Sequence, residues 1–376
     1  MSSRKTLRVF TPLVAVFSAL ALGAFAVPLA QANPDTQTQP EALKIVQLGD
    51  SYSSGNGATE YYSMDCGRSN LNYGSRVADA LNASSYTNVA CGGGVLADLT
   101  APKNLGWQRS VTKSYWIPRS TPDRAGAFKQ RAMDANLCGT TDQPDLYYDY
   151  RVVAPAPAGN LYTATVECRL MVAPQVDALT PDTDMVFLTM GGNDINFVEI
   201  TMSCPVLREA YSCQRWMNAA SAKLTQLQAD ATTALLAIHQ RAPKAQVYLL
   251  SYPHLLRQDQ DYTLPEGPAG WYHVTQAMTQ LQAAGDVAQG QAVQLANQAL
   301  GTVDNPVFHF VDNVKAHWAK DGIEHGLDPY MAASQENSWM GPPLASGYKF
   351  LEYMHPKPEG WAATAEALLE YINNQG

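Results

Sequence analysis

Charge is scarce in this 376-residue chain, and positive charge scarcer still. Only 16% of residues are charged, with 25 Lys and Arg against 34 Asp and Glu, for a formal net charge of −9. Beyond the first eight residues no basic run occurs, so nothing is offered to a phosphate backbone and nucleic acid is not an expected partner. The six cysteines never fall in a C-x-x-C spacing and no histidine lies at zinc-like distance from them, which argues against a zinc site. No metal and no organic cofactor is expected. Internal repeats are lacking, which removes solenoids. After Leu29 no segment is apolar enough to span a bilayer.

What is present begins with an export signature. Arg4, Lys5 and Arg8 form a basic n-region, Thr11 to Leu29 is largely apolar, and Ala30-Gln31-Ala32 is a small-x-small cleavage site. Residues 1–32 therefore read as a signal peptide. An uncleaved anchor competes with that reading, and the cleavage site favours removal. Residues 33–42 read as a flexible leader, which leaves 43–376 as one large α/β domain with insertions, secreted or held at the cell envelope. A monomer is expected, without a stable membrane span once the signal is removed. Six cysteines in a secreted chain read as disulfides. Six allow 15 pairings, among which the sequence does not choose; the sequential pairs Cys66–Cys91, Cys138–Cys168 and Cys204–Cys213 are the expectation.

Residues 43–48 form an aliphatic run that reads as a buried strand, ending in Gly49-Asp50-Ser51-Tyr52-Ser53-Ser54-Gly55. In an open parallel sheet, ligands bind beyond the carboxyl ends of the strands. Ser51 thus stands where a side chain can enter a cleft, although a Ser-rich helix cap would look the same. A helix is expected over 75–81 and a short strand over 88–91, closed by Gly92-Gly93-Gly94. Bare N–H groups there suit an oxyanion, or simply a tight turn. Within 100–172, Trp107, Trp116, Pro118 and Pro122 lie in sequence that reads as irregular, and 146–153 with 161–172 read as an inserted β-hairpin. Its Tyr147, Tyr148, Tyr150 and Tyr162 read as cross-strand packing or as a substrate wall. The strand over 184–190 runs into Gly191-Gly192-Asn193-Asp194, where an Asn amide can face a developing oxyanion.

Further on, 219–241 and 271–300 read as long helices and 246–250 and 307–312 as strands. Strand–helix–strand order implies right-handed crossovers and a parallel sheet with helices on both faces. His355-Pro356 precedes a helix expected over 362–372, a setting from which the imidazole can reach the strand ends. Asp50 and Asp194 read as ties to loop amides. Asp259 and Asp261 read as a solvated loop, with a calcium site as the competing reading.

Ser51, Gly93, Asn193 and His355 stand in the chain order of the four blocks of the SGNH (GDSL-type) hydrolases, which the segments G-D-S-Y-S-S-G, C-G-G-G, G-G-N-D and H-P-x-x-x-G resemble. Arg68-Ser69-Asn70 before Tyr73, Gln175-Val176-Asp177-Ala178-Leu179, Ala242-Pro243 and Ser338-Trp339-Met340-Gly341 resemble the secreted actinobacterial lipase/esterase branch. The resemblance covers nearly all of 43–373. It implies a flavodoxin-like three-layer α/β/α sandwich with a central parallel sheet of about five strands, and a carboxylic ester hydrolase. The implied roles are Ser51 as nucleophile, His355 as general base, and the Ser51 N–H, Gly93 N–H and Asn193 side chain as oxyanion hole. The G-x-S-x-G elbow of α/β-hydrolases is lacking around Ser51.

Two departures accompany the match. Glu352 occupies the position, three before the His, where the family carries Asp; either Glu352 or a backbone carbonyl orients the imidazole. Gly92 and Val95 replace a typical Ser and Thr. The insertions at about 100–172 and 253–275 are expected to shape the pocket. The substrate is then a lipid ester or an acylated glycan or glycolipid, with transfer to an acceptor, or binding without catalysis, as alternatives.

Overall fold

The computed structural model describes residues 43–153, 159–330, 335, 337–341 and 352–375. The expected signal peptide and leader, and most of the 154–160 loop, lie outside the described residues. The strands in chain order are β1 (Lys44–Gly49), β2 (Ser85–Asn88), β3 (Lys103–Trp116), β4 (Leu146–Val153), β5 (Leu161–Val172), β6 (Met185–Thr189), β7 (Gln246–Leu250), β8 (Thr263–Pro265), β9 (Trp271–His273) and β10 (Phe308–Val311).

Five of them form a parallel sheet in the order β10-β7-β6-β1-β2. This is the flavodoxin-like order, in which the direction of winding reverses beside the first strand and opens a crevice between β1 and β6. Side chains alternate along each strand and so feed two cores. Ile45, Phe187 and Tyr248 pack with Tyr73, Val77, Trp361 and Leu368 on one face. Val46, Leu48, Val186, Leu188, Val247 and Leu249 pack with Leu235, Ile238, Ala292 and Ala296 on the other. Helices Tyr73–Ala80 and Pro358–Gln375 cover the first face, while Leu224–Arg241 and the second half of Val274–Leu300 cover the second. The result is the three-layer α/β/α sandwich expected.

Several elements depart from the sequence reading. The stretch read as irregular contains β3, which joins β5 and β4 in an antiparallel sheet of order β3-β5-β4 rather than a plain hairpin. Register shifts at Asn104/Gly106 and Trp107/Arg109 break its alternation, which hid it. The second strand ends at Asn88 instead of starting there, because the carbonyls of Val89 and Ala90 turn to the Arg68 guanidinium. The helix expected over 219–241 is two, Ala210–Ala222 and Leu224–Arg241, broken at Lys223. Lys223 Nζ there reaches the Asp194 carbonyl at 2.9 Å. Residues 271–273 are β9, paired with β8, and the helix starts at Val274. The last helix begins at Pro358, since a proline fits the first helical position.

Disulfides join Cys66–Cys91, Cys138–Cys168 and Cys204–Cys213. Asp259 pairs with Arg257 at 2.6 Å and Asp261 with His273 at 2.9 Å. Among the described residues no helix is long and apolar enough to cross a membrane.

Candidate active site

The first strand of the crevice ends in Gly49, with φ at 123°. A Cβ there would lie 2.6 Å from Ser53 Oγ and run into the Thr189 carbonyl, so only glycine lets β1 approach β6 this closely. The buried Gln175 grips this glycine twice: Oε1 accepts its N–H at 2.6 Å and Nε2 donates to its carbonyl at 2.9 Å. Asp50 then caps the single helical turn Ser51–Ser54, accepting from Tyr52 N at 2.9 Å. Its carboxylate also accepts from the Thr189 hydroxyl at 2.9 Å and the Tyr252 hydroxyl at 2.5 Å. Burial outweighs these three bonds and pushes the carboxyl up to about 6. Asp50 therefore ties the turn together, and Ser51 opens it as the first helical residue.

The segment carrying Gly93 is held from several sides. Cys91 is cross-linked to Cys66, and Gly92 N donates to the Cys66 carbonyl at 2.9 Å. Arg68, 1% exposed, donates to the carbonyls of Val89 and Ala90 and forms a bidentate pair with Asp145 at 2.5 and 2.8 Å. Lys103 Nζ holds the Gly93 carbonyl at 2.7 Å. At the end of β6, Gly192 N donates to the Tyr252 hydroxyl at 3.1 Å. Asn193 Nδ2 donates to the Gly94 carbonyl at 2.8 Å, so one amide hydrogen fixes the side chain and the second is available to the crevice. The Asp194 carboxylate accepts from Leu96 N at 3.2 Å, joining the two loops.

His355 arrives from the far end of the chain. Trp361, fully buried and stacked on Tyr73 with ring centroids 6.2 Å apart, docks the helix that follows it. Tyr52 OH donates to the Met354 carbonyl, and Gly341 N donates to the His355 carbonyl at 2.8 Å. In the ring, Nδ1 bonds to the Tyr353 carbonyl at 2.7 Å, so Nδ1 carries the proton. Nε2 is buried and has no hydrogen-bond partner among the described residues. Burial lowers the imidazole from 6.5 to about 4, and the Tyr353 carbonyl opposes that shift. Glu352 is also buried, and its carboxylate accepts from the Tyr61 hydroxyl at 3.3 Å.

Ser51, Gly93, Asn193 and His355 all line one cleft of about 200 Å³, which Asn56, Tyr353, Phe197, Val198, Thr201 and Met202 complete. The backbone carbonyl expected as one alternative at the imidazole is that of Tyr353, whereas the Gln175 clamp and the Tyr252 hydroxyl escaped the sequence reading as site parts. Gln175 stood in a stretch already set apart by the resemblance, while Tyr252 carried no local signal at all. The sequence can place such acid, base and amide residues at loop starts; it cannot tell which carbonyl meets the imidazole.

No protein-family model matches the chain. Lipase 2 of Streptomyces coelicolor is 28% identical over 261 residues, 65% of this chain and 63% of that protein. A lipase of Streptomyces rimosus is 32% identical over 87 residues, 23% of this chain and 32% of that protein. The matches thus span less than two thirds of either relative's length. Phospholipase A1 of Streptomyces albidoflavus superposes with a TM-score of 0.54 at 19% identity, covering 89% of this chain and 100% of that one. The extracellular lipase of Streptomyces rimosus gives 0.52 at 21%, covering 88% and 99%. The chain has the SGNH hydrolase fold and is similar, in sequence and in structure, to lipases of Streptomyces.

Proposed function

We propose that this protein is a secreted serine esterase or lipase whose substrate is a carboxylic ester. The observation that carries the reading is the convergence of Ser51, Gly93, Asn193 and His355 on one cleft, with the basic nitrogen of a buried imidazole left without a hydrogen-bond partner among the described residues. Ser51 Oγ attacks the acyl carbon as His355 Nε2 takes its proton. The negative charge that develops on the carbonyl oxygen is met by the N–H groups of Ser51 and Gly93 and by the free amide hydrogen of Asn193. Collapse of the tetrahedral species expels the alcohol, which recovers the proton from the imidazolium. Water then repeats the sequence on the acyl-enzyme.

The Tyr353 carbonyl takes the orienting place that an acid fills in other triads, fixing the tautomer through Nδ1. A neutral carbonyl stabilises imidazolium less than a carboxylate would, in keeping with the low proton affinity of the buried ring. Glu352 then supports the loop through Tyr61 instead of acting on the proton. Three disulfides and the extracellular S. rimosus lipase favour export. Hydrolysis of p-nitrophenyl esters by the purified protein, beside Ser51→Ala and His355→Ala, tests the mechanism. Both variants should lose activity while keeping the wild-type melting curve, and full activity in Ser51→Ala would sink it.

A further inference from the structure

Behind the loop that carries Asn193 lies a second cavity, of about 70 Å³. Its walls are mostly apolar, with Ile195, Ile200, Leu255, Met278 and Leu281 facing the lumen. The polar groups at its edge are satisfied elsewhere. Gln282 Nε2 donates to the Pro253 carbonyl at 2.8 Å, Gln289 Nε2 donates to the Met190 carbonyl at 2.5 Å, and Asp286 pairs with Lys315 at 2.6 Å. A lumen lined in this way does not need water and suits an apolar guest.

Phe197 lines both this cavity and the cleft of Ser51, so it stands between them. The ring lies 5.9 Å from Tyr52 and 6.4 Å from His355, centroid to centroid. The helix Val274–Leu300 contributes Gly285 to the lining, where an added Cβ would meet no atom within 4 Å. Glycine is a poor residue for a helix interior, and no crowding requires it here. Its lack of a side chain keeps the lumen open.

We propose that this cavity receives the alkyl end of the substrate's acyl chain, which enters past Phe197. The proposal rests on the reading of Ser51 as the residue that accepts the acyl group. The occupant is apolar and unbranched in its fit, so chain length is selected by the space between Phe197 and Gly285. One methylene more or less in such a pocket changes specificity by about 10–200-fold.

The test compares kcat/KM for p-nitrophenyl acetate, octanoate and palmitate in the wild type, Gly285→Leu and Leu281→Ala. Gly285→Leu fills the lumen and should lower the octanoate-to-acetate ratio at least tenfold. Leu281→Ala enlarges it and should raise the palmitate-to-octanoate ratio. Folded variants that keep the wild-type ratios, or that slow all three esters alike, overturn the proposal. Should Gly285→Leu fail to fold by far-UV circular dichroism, Leu281→Ala decides alone. A wild type inert toward every ester removes the acyl-enzyme reading instead. The cavity is then judged by heat: sodium octanoate should raise the wild-type Tm, and no shift overturns the proposal.

Discussion

The Tyr252 hydroxyl donates to Asp50 across 2.5 Å and accepts the Gly192 N–H across 3.1 Å, so one oxygen links the turn of Ser51 to the loop of Asn193. Tyr252→Phe should leave a buried carboxyl and a loop N–H short of a partner, destabilising the fold by about 1–3 kcal/mol. A urea melt reads this directly. The same variant should lower kcat more than it raises KM, because the two halves of the proposed oxyanion hole lose their common anchor. An unchanged midpoint would mean that the bridge does not form in solution.

The imidazole of His355 must be neutral to take a proton. With burial lowering it to about 4, kcat/KM should stay level from neutrality down toward pH 4 and then fall about tenfold per pH unit. An acid limb near 6.5 would show a hydrated ring instead.

Stability follows a different sign for each buried group. The unfolded chain protonates His355 near 6.5 and the folded one near 4, so folding loses stability as pH falls through this window. Asp50 runs the other way: the folded carboxyl holds its proton up to about 6, so this contribution is full below the ordinary 3.8 and is lost as pH rises through 6. The two oppose each other between about 4 and 6. Melting temperatures of the wild type should vary little there, whereas Asp50→Asn should leave the histidine's loss of stability on acidification uncovered.

Asn193→Ala removes one proposed oxyanion donor and should cost roughly a hundred- to a thousandfold in kcat, with KM close to that of the wild type. Steady-state kinetics on a short-chain ester distinguish this from a binding defect, which would appear in KM.

Glu352→Gln separates the two candidates for orienting His355. With Nδ1 on the Tyr353 carbonyl, kcat/KM should stay within about threefold of the wild type. A fall on the order of 10⁴, as when a triad acid is neutralised, would return the role to Glu352.

The parts of this architecture that could be read in the sequence are those set by local chemistry. β1 and β6 are short aliphatic runs closed by glycines, and the residues just beyond them, Ser51 and Asn193, are where a parallel sheet exposes side chains to a crevice. What stayed hidden depends on distant partners. β3 is masked by its two register shifts, and the helix break at Lys223 answers to Asp194 and Asn196, almost thirty residues earlier. Glu352 drew attention through its spacing from His355, but spacing does not show that the Tyr353 carbonyl meets the ring. The place of Phe197 between two cavities likewise depends on the fold and leaves no local mark in the sequence.

The stacking of Trp361 on Tyr73 joins the last helix to the helix that follows the Ser51 turn. In the order of synthesis, the group proposed as nucleophile therefore emerges about three hundred residues before the group proposed as its base. A nascent or prematurely terminated chain carries Ser51 without His355 and, on the proposed mechanism, would be chemically silent. On the proposed mechanism, ester cleavage waits until the helix Pro358–Gln375 closes against Tyr73–Ala80, so one docking event would separate an inert translation product from a competent one.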